Sequence, residues 1–317
     1  MFTTKHVADV LASKDNIVIL CHRSPDGDTI GAAYALYDAL CCIGKTARVE
    51  CADPFGVRFA HITDGVEFPN FEPKFVVAVD IADTKLLGSK FEQYPVIDMC
   101  IDHHGTHVPF AQYTYVESTA ASACEIIYEV CCELCGNVNE RQAVALYTGM
   151  ATDTGCFRYS STTSRTHIIA ARLMEFGVPV SEIHQTVFAN SKTKVLLEAN
   201  VISKMQFYCN DLVGVQYVSQ KTLEALGATD DDACAVASTL NDIECIKIGI
   251  TIREMEAGVY RISARSKSPL SAAKLCEKFG GGGHECAAGC TIVGNGFVIY
   301  SNLVEEAENL CREAGMI

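Results

Sequence analysis

The chain has 317 residues, of which 49% are apolar and 20% charged, a composition that suits a globular protein with room for two domains. Its formal charge of −14 is shared by both halves, with 15 Lys and Arg against 24 Asp and Glu in residues 1–203 and 10 against 15 in residues 204–317. This argues against the basic surface with which a protein grips long nucleic acid. No apolar run approaches the roughly 18 residues of a membrane span, and Asp9, Lys14 and Asp15 interrupt the stretch where a signal peptide would need its apolar core, so a cytoplasmic protein is expected.

In chain order, residues 16–21 form a short continuous apolar run, as a buried parallel strand would. Residues 29–43 follow with helical recurrence of Ile30, Ala33, Tyr34, Leu36, Tyr37 and Leu40. Further buried strands are expected over 75–79 and over 96–101, the latter interrupted by Asp98. Helices are expected over 121–135, closed by Gly136, and over 139–151 and 164–176. Alternation of this kind predicts a parallel sheet covered by helices. Val178-Pro179-Val180 breaks the pattern, and 181–205 reads as helices without strands. From 206 onward strands dominate, at 206–209, 212–218, 245–252 and 258–265, with helices over 229–240, 270–279 and 302–313.

Seventeen cysteines are scattered through these apolar runs and read as reduced, buried, small apolar side chains. Cys132-Glu133-Leu134-Cys135 has C-x-x-C spacing but lies in a helical pattern with no second pair at zinc spacing.

The polar residues that follow the first-half strands carry the chemistry. Strand 16–21 runs into His22-Arg23-Ser24-Pro25-Asp26-Gly27-Asp28, strand 75–79 ends at Asp80, and strand 96–101 ends at Asp102-His103-His104. Asp153 follows helix 139–151. In an open parallel sheet, ligands bind beyond the carboxyl ends of the strands, so these residues converge on one crevice. A single aspartate at a strand end is usually a helix cap or turn former. Three polar residues together at 102–104 exceed what a cap needs. His22, Asp26, Asp28, Asp80, His103 and Asp153 are more donors than one ion takes, and two divalent ions about 3.5–4 Å apart sharing a carboxylate would use them all. Oxygen and nitrogen donors without thiolate favour manganese over zinc, with magnesium or cobalt as alternatives. Gly27 is read as allowing the tight turn that aims two carboxylates at different ions. His6, His61, His167 and His184 lack such context, and His107 stands near the cluster.

The order His-x3-Asp-Gly-Asp, lone Asp, Asp-His-His and later Asp resembles the DHH phosphoesterase superfamily. Gly280-Gly281-Gly282-Gly283-His284 followed by Ala287-Ala288-Gly289, with Arg261-x-Ser263-x-Arg265-Ser266 upstream, resembles the DHH-associated domain. Asp153-Thr154-Gly155-x-Phe157-x-Tyr159 and Ala120-Ala121-Ser122 look like the subfamily of bifunctional oligoribonucleases (nanoRNases) and 3′-phosphoadenosine-5′-phosphate (pAp) phosphatases. The fold this implies is α/β. A DHH catalytic domain with a parallel sheet spans 1–186, a helical linker able to act as a hinge spans 187–204, and a smaller α/β DHH-associated substrate-binding domain spans 205–317.

The resemblance implies that His22 and Asp26 bind one metal ion, that Asp28, His103 and Asp153 bind the other, and that Asp80 bridges them. It places His104 at the scissile phosphate and Asp102 in support as catalytic residues. Arg265, Ser263, Gly281, Gly282, Gly283 and His284 would bind substrate. Four glycines also let backbone N–H groups approach an anion, and a helix opening at 284 would add its dipole. The chain departs from the family pattern at His107, where an Asn is common.

The implied activity is hydrolysis of short oligoribonucleotides, about two to five nucleotides long, to mononucleotides. Conversion of pAp to AMP is an expectation of the same resemblance, as are two divalent ions, Mn²⁺ by preference, and short RNA or pAp as partners. No membrane or long nucleic acid is expected, and a homodimer is left open. A phosphodiesterase of cyclic di-AMP or its linear product pApA would use the same residues. Family II inorganic pyrophosphatases share the first motifs but not the glycine run. A catalytically silent nucleotide-binding protein would be expected to have lost metal ligands.

Overall fold

The structure, a computed structural model, describes residues 3–237 and 239–317. Met1, Phe2 and Ser238, the last inside the helix expected over 229–240, lie outside the described residues. The chain is α/β and divides into two compact units, one ending at Ala189 and the other running from Asn190 to Ile317.

The first unit opens with helix α1 (Thr4–Ala12), which the sequence reading missed. Then come β1 (Ile17–Leu20), α2 (Gly27–Cys42), β2 (Ala47–Glu50), the single turn α3 (Ala60–Thr63), β3 (Phe75–Val79), the short α4 (Ser89–Gln93), β4 (Ile97–Asp102) and β5 (Ala111–Val116). Helices α5 (Ala123–Cys135), α6 (Glu140–Asp153), α7 (Ser164–Met174) and α8 (Val180–Val187) complete it. All four strand pairings are parallel, in the order β2-β1-β3-β4-β5. Strands β1 and β3 are buried at every position, as the unbroken apolar runs require. Alternate sides of the sheet enter two apolar clusters, Ile17, Ile19, Val77 and Val79 on one and Val18, Leu20, Val76 and Ala78 on the other. Asp98, the polar break in the third strand, accepts a 2.7 Å hydrogen bond from the Val76 backbone N–H. Gly136 closes α5 with φ +79°, the left-handed C-terminal stop expected of it.

The order 2-1-3-4-5 reverses direction between β1 and β3. At such a switch point the connections leave a crevice beyond the carboxyl ends of the strands.

The second unit contains α9 (Lys192–Ile202), β6 (Gln206–Tyr208), β7 (Val213–Val218), α10 (Gln220–Leu226), α11 (Asp230–Val236), β8 (Ile248–Glu256), β9 (Val259–Ser266), α12 (Ala272–Glu277), β10 (Gly282–His284), β11 (Ala287–Val293) and α13 (Gly296–Glu313). Its sheet runs β10-β11-β9-β8-β7-β6, with only β7 and β8 parallel. Helix α9 packs on β7, α10 and α11, burying Leu197 and Val201 with Val218 and Leu223. No helix opens at His284: the glycine run passes into the β10–β11 hairpin, so the attraction of a helix N-terminus for an anion is missing there. No helix among the described residues is long and apolar enough to cross a membrane.

Candidate metal centre

The six donors expected from sequence come together beyond β1, β3 and β4. His22 follows β1, and its Nε2 lies 3.5 Å from Asp26 Oδ1 and 3.6 Å from Asp80 Oδ2. His103 follows β4, and its Nε2 lies 3.4 Å from Asp80 Oδ1, 3.6 Å from Asp153 Oδ2 and 3.8 Å from Asp28 Oδ2. Donors that share an ion at bond lengths of about 2.1 Å sit roughly 3–4 Å apart. Three sets could each hold an ion: His22, Asp26 and Asp80; Asp28, His103 and Asp153; and Asp80, His103 and His104. Asp80 turns one oxygen to His22 and the other to His103 and His104.

Local structure explains the placement. Asp26 caps α2, accepting from the backbone N–H of Asp28 and Thr29, so its capping role coexists with its place in the cluster. Asp28 enters α2 and is buried. Its carboxylate accepts from the Ala123 N–H at 2.6 Å and the Cys124 N–H at 2.9 Å, at the positive end of α5. Gly27 serves a different purpose from the tight turn expected of it. A Cβ there would lie 2.3 Å from Thr152 Oγ1, so glycine lets α2 close against α6, which ends at Asp153. Asp80 has a left-handed backbone, φ +59°, fixed by its N–H to the Ile101 carbonyl at 2.9 Å.

Two histidines are oriented through Nδ1. His22 Nδ1–H faces the Arg23 carbonyl at 2.8 Å and His103 Nδ1–H the Ala120 carbonyl at 3.4 Å, freeing each Nε2 for the cluster. His104 Nδ1 is 2.7 Å from Asp102 Oδ1. The backbone carbonyls and the α5 N–H groups were not legible beforehand, although Ser122 and Glu125 have the spacing of a helix-start pair and do cap α5.

The electrostatics of the cluster are set by burial and by the crowding of four carboxylates with two imidazoles. Burial alone would lower the His22 pKa, but Asp26 and Asp80 outweigh it and raise it to about 11. Burial likewise opposes the effect of Asp80, Asp28 and Asp153 on His103, which rises to about 10. Burial and the charges of Asp80 and Asp153 push Asp28 well above the carboxylate range. Burial, partly opposed by His103 and reinforced by Asp80, brings Asp153 to about 6. Asp26 stays below its usual value because His22 outweighs burial. Asp80 Oδ1 is buried without a hydrogen-bond partner. A buried carboxylate oxygen without a partner amid crowded acids is satisfied by a bound cation, so the residues present fit a divalent metal.

In the second unit, Arg261, Ser263 and Arg265 alternate along β9 and line an open hollow of about 450 Å³ with Gly282 and Gly283. Gly281 and His284 are not among its lining residues. A Cβ on Gly281 would press on Cys290, and His284 is exposed. His6, His61, His167 and His184 belong to none of the three metal-capable sets. All seventeen cysteines are free, and none, Cys132 and Cys135 included, joins a metal-capable set among the described residues.

A doubly wound sheet carrying an Asp/His cluster at its switch point defines an α/β domain able to hold metal there. Residues 16–150 match the DHH family, N-terminal domain, and residues 213–313 match the DHHA1 domain. The chain is 32% identical to the "Bifunctional oligoribonuclease and PAP phosphatase NrnA" of Thermus thermophilus over 98% of its own length and 95% of the relative's. It is 27% identical to the protein of the same name in Bacillus subtilis, over 94% and 96%. The fold is also that of an exopolyphosphatase-related protein from Bacteroides fragilis, with TM-score 0.84, 22% identity and coverage of 98% and 97%. The chain belongs to the DHH family, with a DHHA1 domain in its second half.

Proposed function

We propose that this chain is a metal-dependent phosphoesterase that hydrolyses short oligoribonucleotides to mononucleotides and removes the 3′-phosphate of pAp. The observation that carries the proposal is Asp80, whose two oxygens join the His22–Asp26 set to the Asp28–His103–Asp153 set. Full-length similarity to relatives named for those two activities supports the substrate class.

His22, Asp26 and Asp80 would hold one divalent ion, and Asp28, His103, Asp153 and Asp80 a second, with Mn²⁺ favoured by the oxygen and imidazole donors. When bound, the ions supply Lewis acidity toward water and the phosphoryl oxygens. His104 is anchored through Nδ1 on Asp102, leaving Nε2 to face a substrate and donate a hydrogen bond or proton toward the leaving oxygen. Asp102, fully buried, keeps that ring in its tautomer. Arg265 and Ser263, with the backbone of Gly282 and Gly283, would hold a phosphate of the substrate. Gly281 would support that surface from beneath, and His284 would reach the substrate from its rim. The −14 charge and the lack of a basic half favour short substrates, held by few cations. A cytoplasmic enzyme, able to form a homodimer, completes the reading.

The test is hydrolysis of a 5′-phosphorylated diadenylate, pAp and cyclic di-AMP by wild type and Asp80→Asn, with Mn²⁺ or with chelator. Mononucleotide release that needs both Mn²⁺ and Asp80, together with AMP from pAp, is the expected result. Cleavage of the cyclic substrate alone would replace this reading with a cyclic-dinucleotide phosphodiesterase. Metal binding without turnover of any of the three would leave a nucleotide-binding protein.

A further inference from the structure

His107 follows His104 by three residues and lies outside the metal-capable sets. Its side chain is 4% exposed, and its ring packs on Phe110 with centroids 5.5 Å apart. Its Nδ1 is 2.7 Å from Asp102 Oδ2. Its Nε2 is buried and has no hydrogen-bond partner. A proton on Nε2 would therefore be an N–H with no acceptor, whereas a proton on Nδ1 is donated to a carboxylate. A buried Nε2 also cannot touch a substrate, so the ring has no catalytic contact to make.

Asp102 is fully buried, and its two oxygens are used unequally. Oδ1 accepts from the backbone N–H of His103 at 2.8 Å, the backbone N–H of His104 at 3.3 Å and His104 Nδ1 at 2.7 Å. Oδ2 has His107 as its one hydrogen-bond partner among the described residues. A carboxylate held through a single oxygen retains a broad torsion about Cβ–Cγ. A donor on the second oxygen fixes its plane. The backbone holds that donor in place, through His107 N–H to the His104 carbonyl at 3.1 Å and Val108 N–H to the Ala82 carbonyl at 2.9 Å.

We infer that His107 is a positioning residue: it pins Asp102 Oδ2 so that Oδ1 holds the His104 ring with Nε2 turned outward. The consequence for reaction rate rests on the phosphoesterase reading above; the tautomer and the pinning do not. The departure from the family pattern at this position therefore bears on the orientation of His104.

Two substitutions and one spectrum test this. His107→Phe keeps the ring volume against Phe110 and removes the donor. His107→Asn places an amide N–H at the position of Nδ1. With diadenylate and Mn²⁺, His107→Phe is expected to lower kcat about tenfold or more with KM within about twofold, and His107→Asn to recover at least about a third of wild-type kcat. Bound manganese should be equal in all three proteins. In the metal-free wild type, imidazole ¹H–¹⁵N correlation should show His107 as the Nδ1–H tautomer, and the His104 resonances should move in His107→Phe but stay near their wild-type positions in His107→Asn. The inference is overturned by unchanged kcat in His107→Phe, by Asn performing no better than Phe, by parallel loss of metal, or by an Nε2–H tautomer. If the wild type hydrolyses nothing, the functional reading fails, and the spectra alone decide the positioning of His104.

Discussion

Asp80 Oδ1 lies 3.4 Å from His103 Nε2, is buried, and has no hydrogen bond. It is held there by a left-handed backbone immediately after β3. Strain and an unsatisfied carboxylate at one residue are tolerated together where a ligand compensates them. Asp80→Asn should therefore act mainly through the metal. Without metal, the change removes the carboxylate that faces protonated His22 and His103 but also relieves its repulsion of Asp28 and Asp153, so the two effects oppose and the melting temperature should change little. With Mn²⁺, the ligand-induced rise seen in wild type should largely vanish, and kcat/KM should fall by on the order of 100-fold or more. Thermal melts of both proteins in Mn²⁺ and in chelator measure this. A mutant whose metal-induced shift equals that of wild type would remove Asp80 from the shared position.

If His22 and His103 ligate metal as proposed, their raised pKa values make metal loading a proton-releasing event. Metal-free His22 and His103 titrate at about 11 and about 10, so both are cationic at neutral pH. Each folded value lies above the unfolded value of about 6.5. Their protonation thus stabilises the metal-free fold fully below about pH 6.5, and this contribution is lost as pH rises through their folded values. An ion must displace these protons, because imidazole ligates only when neutral. Titration calorimetry in buffers of different ionisation enthalpy at pH 7.5 should reveal release of more than one proton per protein, with affinity falling as pH is lowered. Buffer-independent heats would contradict this ligand set.

Much of the centre was legible because its residues stand where strands stop. His22, Asp80 and His103 each follow an apolar run whose length already implied a buried parallel strand, and the sheet then does the gathering. The anchoring of Asp28 was not legible, since its partners Ala123 and Cys124 lie 95 and 96 residues away and act through the backbone. Strand β5 escaped notice because it is a half-exposed edge without an apolar run. The β10–β11 hairpin escaped because glycine and alanine carry little strand preference, and its pairing with β9 decides the conformation. His107 was placed near the cluster by sequence, but only its buried, unpartnered Nε2 separates a supporting ring from one that touches substrate.

Gly27 tests how far the helices carry the site. An alanine Cβ there would meet Thr152 at Oγ1, Cγ2 and Cβ, at 2.3, 2.7 and 3.0 Å. Overpacking of this kind costs about 1–3 kcal/mol. It would also part α2 from α6, and so Asp28 from Asp153, which share one metal-capable set. Gly27→Ala should lower both thermal stability and metal affinity. Adding Thr152→Ala should restore a large part of each, because the clash is with that side chain. A double mutant no better than Gly27→Ala would place the strain elsewhere.

Away from the site, Glu50 gives a stability signature with the opposite pH sense to that of the histidines. Its carboxylate accepts from Arg48 Nε and Lys90 Nζ, each at 2.6 Å, and from the Tyr94 hydroxyl at 2.9 Å, tying β2 to α4 and the residue after it. Burial pushes its pKa up, but Lys90, Arg48 and Tyr94 outweigh burial and hold it below the usual carboxylate value. A depressed folded pKa contributes stability that is present above the unfolded value of about 4.3 and is lost as pH falls through the folded value. Glu50→Gln should therefore destabilise the first unit by about 1 kcal/mol at pH 7, a modest figure because the group is only partly shielded from solvent. The gap between mutant and wild type should close as pH falls below 4. Denaturant melts at pH 7, 5 and 3.5, all with chelator so that metal binding does not contribute, measure it. A difference that is constant across that range would mean that packing, and not charge, accounts for the contribution of Glu50.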